Sequence, residues 1–236
     1  MNVKNLSLIC TTLLGFGFLM MLGLKDFNRT ERKISVRGLA EKVVDSDVAV
    51  WRISYTASGE RMEAIQTSFL NAQREVEDFL KENGFSDDEI SKTSNLQDRM
   101  TESYATGKGA RFVASGYHIV TTGKVTQVEK IEQKVDRLLK KGIVLTGSQK
   151  NYYFTQLNKI KPQMLDEATQ NASEAAHGFA KSMNVKVGAL KSATQGVFTI
   201  ESPMADGENR YGGYGERNNT IKKKVRVVTQ VDFDVS

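Results

Sequence analysis

Residues 49–57 read Ala49-Val50-Trp51-Arg52-Ile53-Ser54-Tyr55-Thr56-Ala57, with apolar or aromatic side chains at odd positions and mostly polar ones between. A period of two places alternate side chains on opposite faces of an extended chain, so the stretch predicts a half-buried β-strand. Upstream, a second extended stretch covers 34–44, and Asp45-Ser46-Asp47 supplies turn residues between the two. Residues 34–44 and 48–58 therefore read as a hairpin. Downstream the period changes. Ile65, Phe69, Ala72, Val76 and Phe79 recur at helical spacing, and Asn83-Gly84 ends the helix with residues that tolerate positive φ.

Strand-like stretches follow near 91–105 and 110–123, joined at Gly107-Lys108-Gly109. Thr126-Gln127-Val128-Glu129 has the spacing of a capping box and opens a second helix. Its buried stripe is Val128, Ile131, Val135 and Leu138, and it ends at Gly142. A strand over Ile143–Thr155 leads to the longest helix, 161–184, with Pro162 in its first turn. Met164, Ala168, Ala172, Ala175 and Phe179 form the inward face of that helix, and so much alanine implies a close approach to a sheet. Strands at 185–200 and 220–235 complete the order ββαββαβαββ. In the last strand Ile221, Val225, Val227, Val231, Phe233 and Val235 share one parity. The predicted class is α+β, with largely antiparallel sheets and helices packed on one face.

Ahead of this region lies an uncharged apolar run, Leu6 to Leu24, bounded by Lys4 and Lys25. As a helix it would be roughly 28 Å long, enough to span a bilayer's hydrocarbon core, so the folded part is preceded by a transmembrane helix. No small-x-small cleavage site follows it, which favours an uncleaved anchor over a signal peptide. The chain divides into a cytoplasmic N-terminus (1–5), the anchor (6–24), a linker (25–33) and one folded domain (34–236). Lys25, Arg29, Arg32 and Lys33 outnumber the positive charge before the run, and on charge alone would keep the domain cytoplasmic. The single cysteine, Cys10, sits inside the run, so residues 34–236 hold no disulfide and no thiolate nucleophile.

The net charge of +5 is spread along the chain. Lys222, Lys223, Lys224 and Arg226 form its only dense basic cluster, read as a solvated strand entrance and not as a nucleic-acid face. His118 and His177 are the only histidines and lack partners at metal-ligand spacing, so they read as structural residues. The glycine-rich stretches 107–109 and 211–215 match no phosphate-binding motif, and no serine sits in a G-x-S-x-G elbow. Asp87-Asp88-Glu89 lacks calcium-loop spacing and reads as a turn or cap. These observations predict no catalytic residues, no metal and no cofactor. Tyr211 and Tyr214, in the Gly- and Asn-rich loop from Ala205 to Asn219, are the candidate contact surface.

In order, several pieces resemble the SIMPL-domain family, which includes the periplasmic immunogenic protein and the oxidative stress defence protein. They are Ile34-Ser35-Val36-Arg37-Gly38, Asn83-Gly84-Phe85, Phe112-Val113-Ala114-Ser115-Gly116-Tyr117, the alanine-rich helix with Val185-Lys186-Val187-Gly188, and the closing strand from Lys224 to Val235. A departure is Gly142-Ile143-Val144, where family members often carry Gly-Ala-Asn. The resemblance implies an extracytoplasmic, envelope-associated bacterial protein linked to stress tolerance; taken with the anchor at 6–24, the expectation is a single-pass inner-membrane protein with its domain in the periplasm. It supplies no active site. The expectation is a SIMPL-type, non-enzymatic domain working by self-association as a homo-oligomer, or by contacts with other envelope proteins. Alternatives are a small-molecule or lipid-binding module and a hydrolase assembled from distant residues.

Overall fold

The computed structural model describes residues 32–100, 110–203 and 219–235. Tyr211, Tyr214 and the apolar run 6–24 lie outside them. Within them the elements are β1 (Lys33–Asp45), β2 (Val48–Gly59), α1 (Met62–Glu82), β3 (Ile90–Asp98), β4 (Phe112–Thr122), α2 (Val125–Glu132), α3 (Asp136–Lys140), β5 (Val144–Tyr153), α4 (Leu157–Ser182), β6 (Val187–Gln195), β7 (Thr199–Glu201) and β8 (Lys222–Val235). This is an α+β fold of antiparallel sheets. The contacts fall into two compact units, one of 40–167 with 197–228, the other of residues up to Leu39 with 168–196 and 229 onward.

In the larger unit β2 does what its alternation requires. Ala49, Trp51, Ile53 and Tyr55 are fully buried, and Arg52 points to solvent over the ring of Tyr117. β2 pairs antiparallel with β4 (Ile53 opposite His118) and with β5 (Ile53 opposite Ser148). β3 adds outside β4, giving the order β3-β4-β2-β5. α1 covers the odd face of β2 with Ile65, Phe69, Ala72, Val76, Phe79 and Leu80. Trp51 meets Phe79 and Phe85 edge-on at 6.5 and 6.2 Å, and its Nε1 donates to Ser148 Oγ at 3.0 Å. Gly84 ends α1 at φ +86°, its N–H donating to the Lys81 carbonyl, as the sequence implies. The stripe Val128, Ile131, Val135 and Leu138 is buried as read, and Gly142 follows at φ +79°.

Several local readings are corrected. Residues 34–44 and 48–58 do not form a hairpin. Both edges of β2 are taken by β4 and β5, so β1 joins the other sheet, of order β1-β8-β6 with β7 also on β8. The switch is fixed at Ser46 and Asp47, whose N–H groups donate to the Ile221 and Tyr153 carbonyls at 2.8 and 2.9 Å. The Asp47 carboxylate also accepts from the Thr155 N–H and hydroxyl, at 2.8 and 3.0 Å. Thr126 does not cap α2. The helix starts one residue earlier, after Lys124, whose N–H donates to Thr122 Oγ1. The capping box lies instead at Ser86 and Glu89, on the short turn Asp87–Glu89. Helix α4 begins at Leu157, placing Pro162 in its second turn, where the missing N–H costs one helical hydrogen bond. The stretch 185–200 divides into β6 and β7.

In the smaller unit the alanine row of α4 is explained by one glycine. A Cβ built on Gly38 of β1 would stand 1.8 Å from the carbonyl oxygen of Ala168 and 2.5 Å from the nitrogen of Ala172. The helix backbone itself is the neighbour at 168 and 172, and the alanine row continues through 176 and 180, all four buried. Phe179 is therefore not inward as read but 55% exposed, with Ala176 and Ala180 in the covered row. Val36, Ala172, Ala176 and Val231 make the small core. Beside it Asp232 accepts from Lys33 Nζ at 2.9 Å and Ser192 Oγ at 3.1 Å.

Gly38→Ala is expected to cost on the order of 2–4 kcal/mol, because a helix backbone cannot yield as a flexible side chain can. Gly147→Ala, where an added Cβ meets nothing within 4 Å, is the matched control and should be near neutral. Thermal unfolding of both variants checks the difference.

Candidate functional site

The inward face of β4 follows even numbers, Phe112, Ala114, Gly116, His118, Val120 and Thr122, and all six are buried. That parity carries a histidine into the interior. His118 is fully buried, and its ring lies 5.7 Å from that of Tyr55, stacked at 28°. Tyr55 in turn lies 5.4 Å from Phe69 of α1. Gly116 keeps the space open: a Cβ there would meet Phe69 Cζ at 2.7 Å. Among the described residues neither nitrogen of His118 nor the Tyr55 hydroxyl has a hydrogen-bond partner.

At the margin of this cluster sits Glu77 of α1. Its carboxylate accepts from Lys92 Nζ of β3 at 2.7 Å and from Lys81 Nζ at 2.9 Å, and Lys81 also reaches Asp87 at 2.7 Å. The two lysine hydrogen bonds lower the Glu77 pKa to about 2. Burial pushes the His118 pKa down to about 4, against a smaller upward pull from Glu77. Burial, then Glu77, raises the Tyr55 hydroxyl to about 12. The cluster thus pairs a neutral imidazole and a neutral phenol with a carboxylate that stays ionised. With α1 seated no reacting atom of His118 or Tyr55 meets solvent, so the group couples protonation to helix packing.

A second polar group lies on β5 and α2. The Tyr152 hydroxyl donates to Glu129, and Lys150 bridges Glu129 and Glu132 at 3.3 and 3.2 Å. The tyrosine hydrogen bond, with a smaller one from Lys150, holds the Glu129 carboxyl below the usual range.

The residues singled out from sequence are dispersed. Lys222 pairs with Asp45 at 3.1 Å and Arg226 with Glu41 at 3.5 Å. Lys223 is not part of a solvated entrance. It shares the inward parity of Val225 and Val227, is 1% exposed, and burial lowers its pKa. Lys224 is half-buried. The basic cluster is therefore divided between the two faces of β8. His177 lines an open surface hollow with Ala180, Lys181 and Val187, far in sequence from His118. Among the described residues no three His, Cys, Asp or Glu side chains gather where a metal could be held. Tyr55, Glu77 and Lys92 were not singled out from sequence. The available signal was a histidine at a position whose parity matched that of its buried neighbours.

A family model matches residues 34–233, and its description is SIMPL, protein of unknown function (DUF541). The chain belongs to the SIMPL family. Among curated proteins no match is found. The matched SIMPL span runs from the second residue of β1 to within two residues of the end of β8, and so includes Tyr55, Glu77, Lys92 and His118.

The unfolded-state imidazole titrates near 6.5 and the folded one near 4. Between those values the unfolded chain binds the extra proton, so stability present above pH 6.5 is lost as pH falls towards 4, by about 3 kcal/mol. Denaturant unfolding from pH 7 to pH 4 should show that loss in the parent chain, and a shallower one in His118→Leu.

Proposed function

We propose that this SIMPL chain is a membrane-tethered, extracytoplasmic module that is non-enzymatic and acts through self-association or contacts with other envelope proteins, in a role connected with stress tolerance. The tether is the apolar run 6–24, which has the length and flanking charges of an anchor and no cleavage signal. The resemblance read in the sequence favours the outward orientation, with the domain in the periplasm. Among the described residues no helix is long and apolar enough to cross a membrane, so the run alone carries the tether.

One observation carries the contact function. Among the described residues strand β3 pairs on one side only, and every residue from Ser91 to Asp98 is exposed. A strand with an unpaired row of N–H and C=O groups is a template for another strand. The interior points the same way: His118 and Tyr55 are sealed beneath α1, whereas the β3 edge is exposed.

Light scattering of the full chain in detergent is expected to give a mass larger than one protomer, and a strict monomer at high concentration overturns the reading. For orientation, alkaline phosphatase fused after Ser236 is expected to be active, since that enzyme matures only after export. Activity confined to a cytoplasmic reporter at the same position reverses the orientation.

A further inference from the structure

The edge strand β3 reads Ile90-Ser91-Lys92-Thr93-Ser94-Asn95-Leu96-Gln97-Asp98. Its even residues face α1. Lys92 reaches Glu77 there, and Ser94 is opposite Gly116, whose missing side chain leaves room for Phe69. Lys92 and Asp98 therefore stand on the same face, three residues to either side of Asn95.

We propose that β3 pairs antiparallel with β3 of a second copy of this chain, about a two-fold axis at Asn95, joining two four-stranded sheets into one of eight strands. This rests on the contact function proposed above and names its surface. An antiparallel pair keeps opposite residues on one face, so this register sets Lys92 across from Asp98 of the second copy, twice by symmetry. Each of these charges already has a partner of opposite sign. Lys92 holds Glu77, and Asp98 accepts from Arg111 Nε and Nη2 at 3.3 and 3.2 Å. The contact therefore completes two rows of alternating sign, Glu77–Lys92–Asp98–Arg111, each crossing between copies. Lysine has three donors and a carboxylate several acceptor sites, so neither existing bond is lost.

The rest of the register agrees. Leu96, 43% exposed, lies across from Ser94, and on the other face Thr93 meets Gln97 while Asn95 meets its own copy. A lysine on an edge normally deters pairing, but in this register each Lys92 is opposed by the carboxylate of Asp98 from the second copy. The helices leave room. α1 packs over β4 and β2, so at a strand spacing near 4.8 Å the two copies of α1 lie roughly 19 Å apart, well beyond helix contact.

The folded part holds no cysteine, which makes the register directly testable. In the full chain with Cys10→Ser, purified in detergent, Asn95→Cys faces itself across the axis. Mild oxidation should convert more than half of it to a disulfide-linked dimer. Thr93→Cys alone should crosslink at least tenfold less, and mixing it with Gln97→Cys should restore the product. An oligomer by light scattering with no Asn95→Cys dimer overturns this register and leaves the contact function standing. A monomer overturns both. Crosslinking at Thr93→Cys alone that equals Asn95→Cys also overturns it, because random collision would then explain both.

Discussion

Helix α4 can lie where it does only because β1 presents no side chain at Gly38. A methyl group on that residue would stand 1.8 Å from the Ala168 carbonyl oxygen, so the approach is between two backbones. Everything nearby answers to that distance. Where α4 crosses Gly38, at Ala168 and Ala172, the covered row is alanine, because a larger residue there would lift the helix off the strand. Bulk displaced from the row goes to the flank, where Phe179 stands in solvent. The small core of Val36, Ala172, Ala176 and Val231 supplies little apolar area, so close packing has to compensate for size.

The larger unit solves the same problem with volume. Trp51, Tyr55, Phe69, Phe79 and Phe85 fill the space between sheet and helix, and α1 stands off on aromatic rings. Within that aromatic layer His118 takes the place of another ring. Its stacking on Tyr55 resembles the packing of an apolar residue, yet it can gain a proton, which makes the seating of α1 sensitive to acid in a way that phenylalanine would not. Glu77 stays ionised throughout that range, because two lysines hold it.

Periodicity made the elements legible, and pairing was where it failed. The alternation around Trp51, the stripe of α1 and the glycines at 84 and 142 all follow local rules, and the structure obeys them. The expected hairpin did not form because the partner of β1 is decided by which edges remain open elsewhere, and no local signal encodes that. Lys223 is different. Its neighbours Val225 and Val227 marked the odd parity as inward, but a run of three lysines reads as solvated, and composition outweighed register. His118 was visible as a residue and invisible as a cluster member, since the charges that act on it, Glu77 and Lys92, stand on two other elements. The tyrosines at 211 and 214 lie beyond what the structure describes.

The pairing of β1 with β8 also has a consequence in time. Lys33 bonds to Asp232, 199 positions later, and the other links between the two strands span nearly as much chain. Contacts so distant in sequence form slowly, because a long loop must close before any of them is made. A growing chain that has made β1 through β6 still has an incomplete sheet with its central strand missing. Until β8 arrives the sheet stays open between β1 and β6, and that strand is the one that commits it to the folded state.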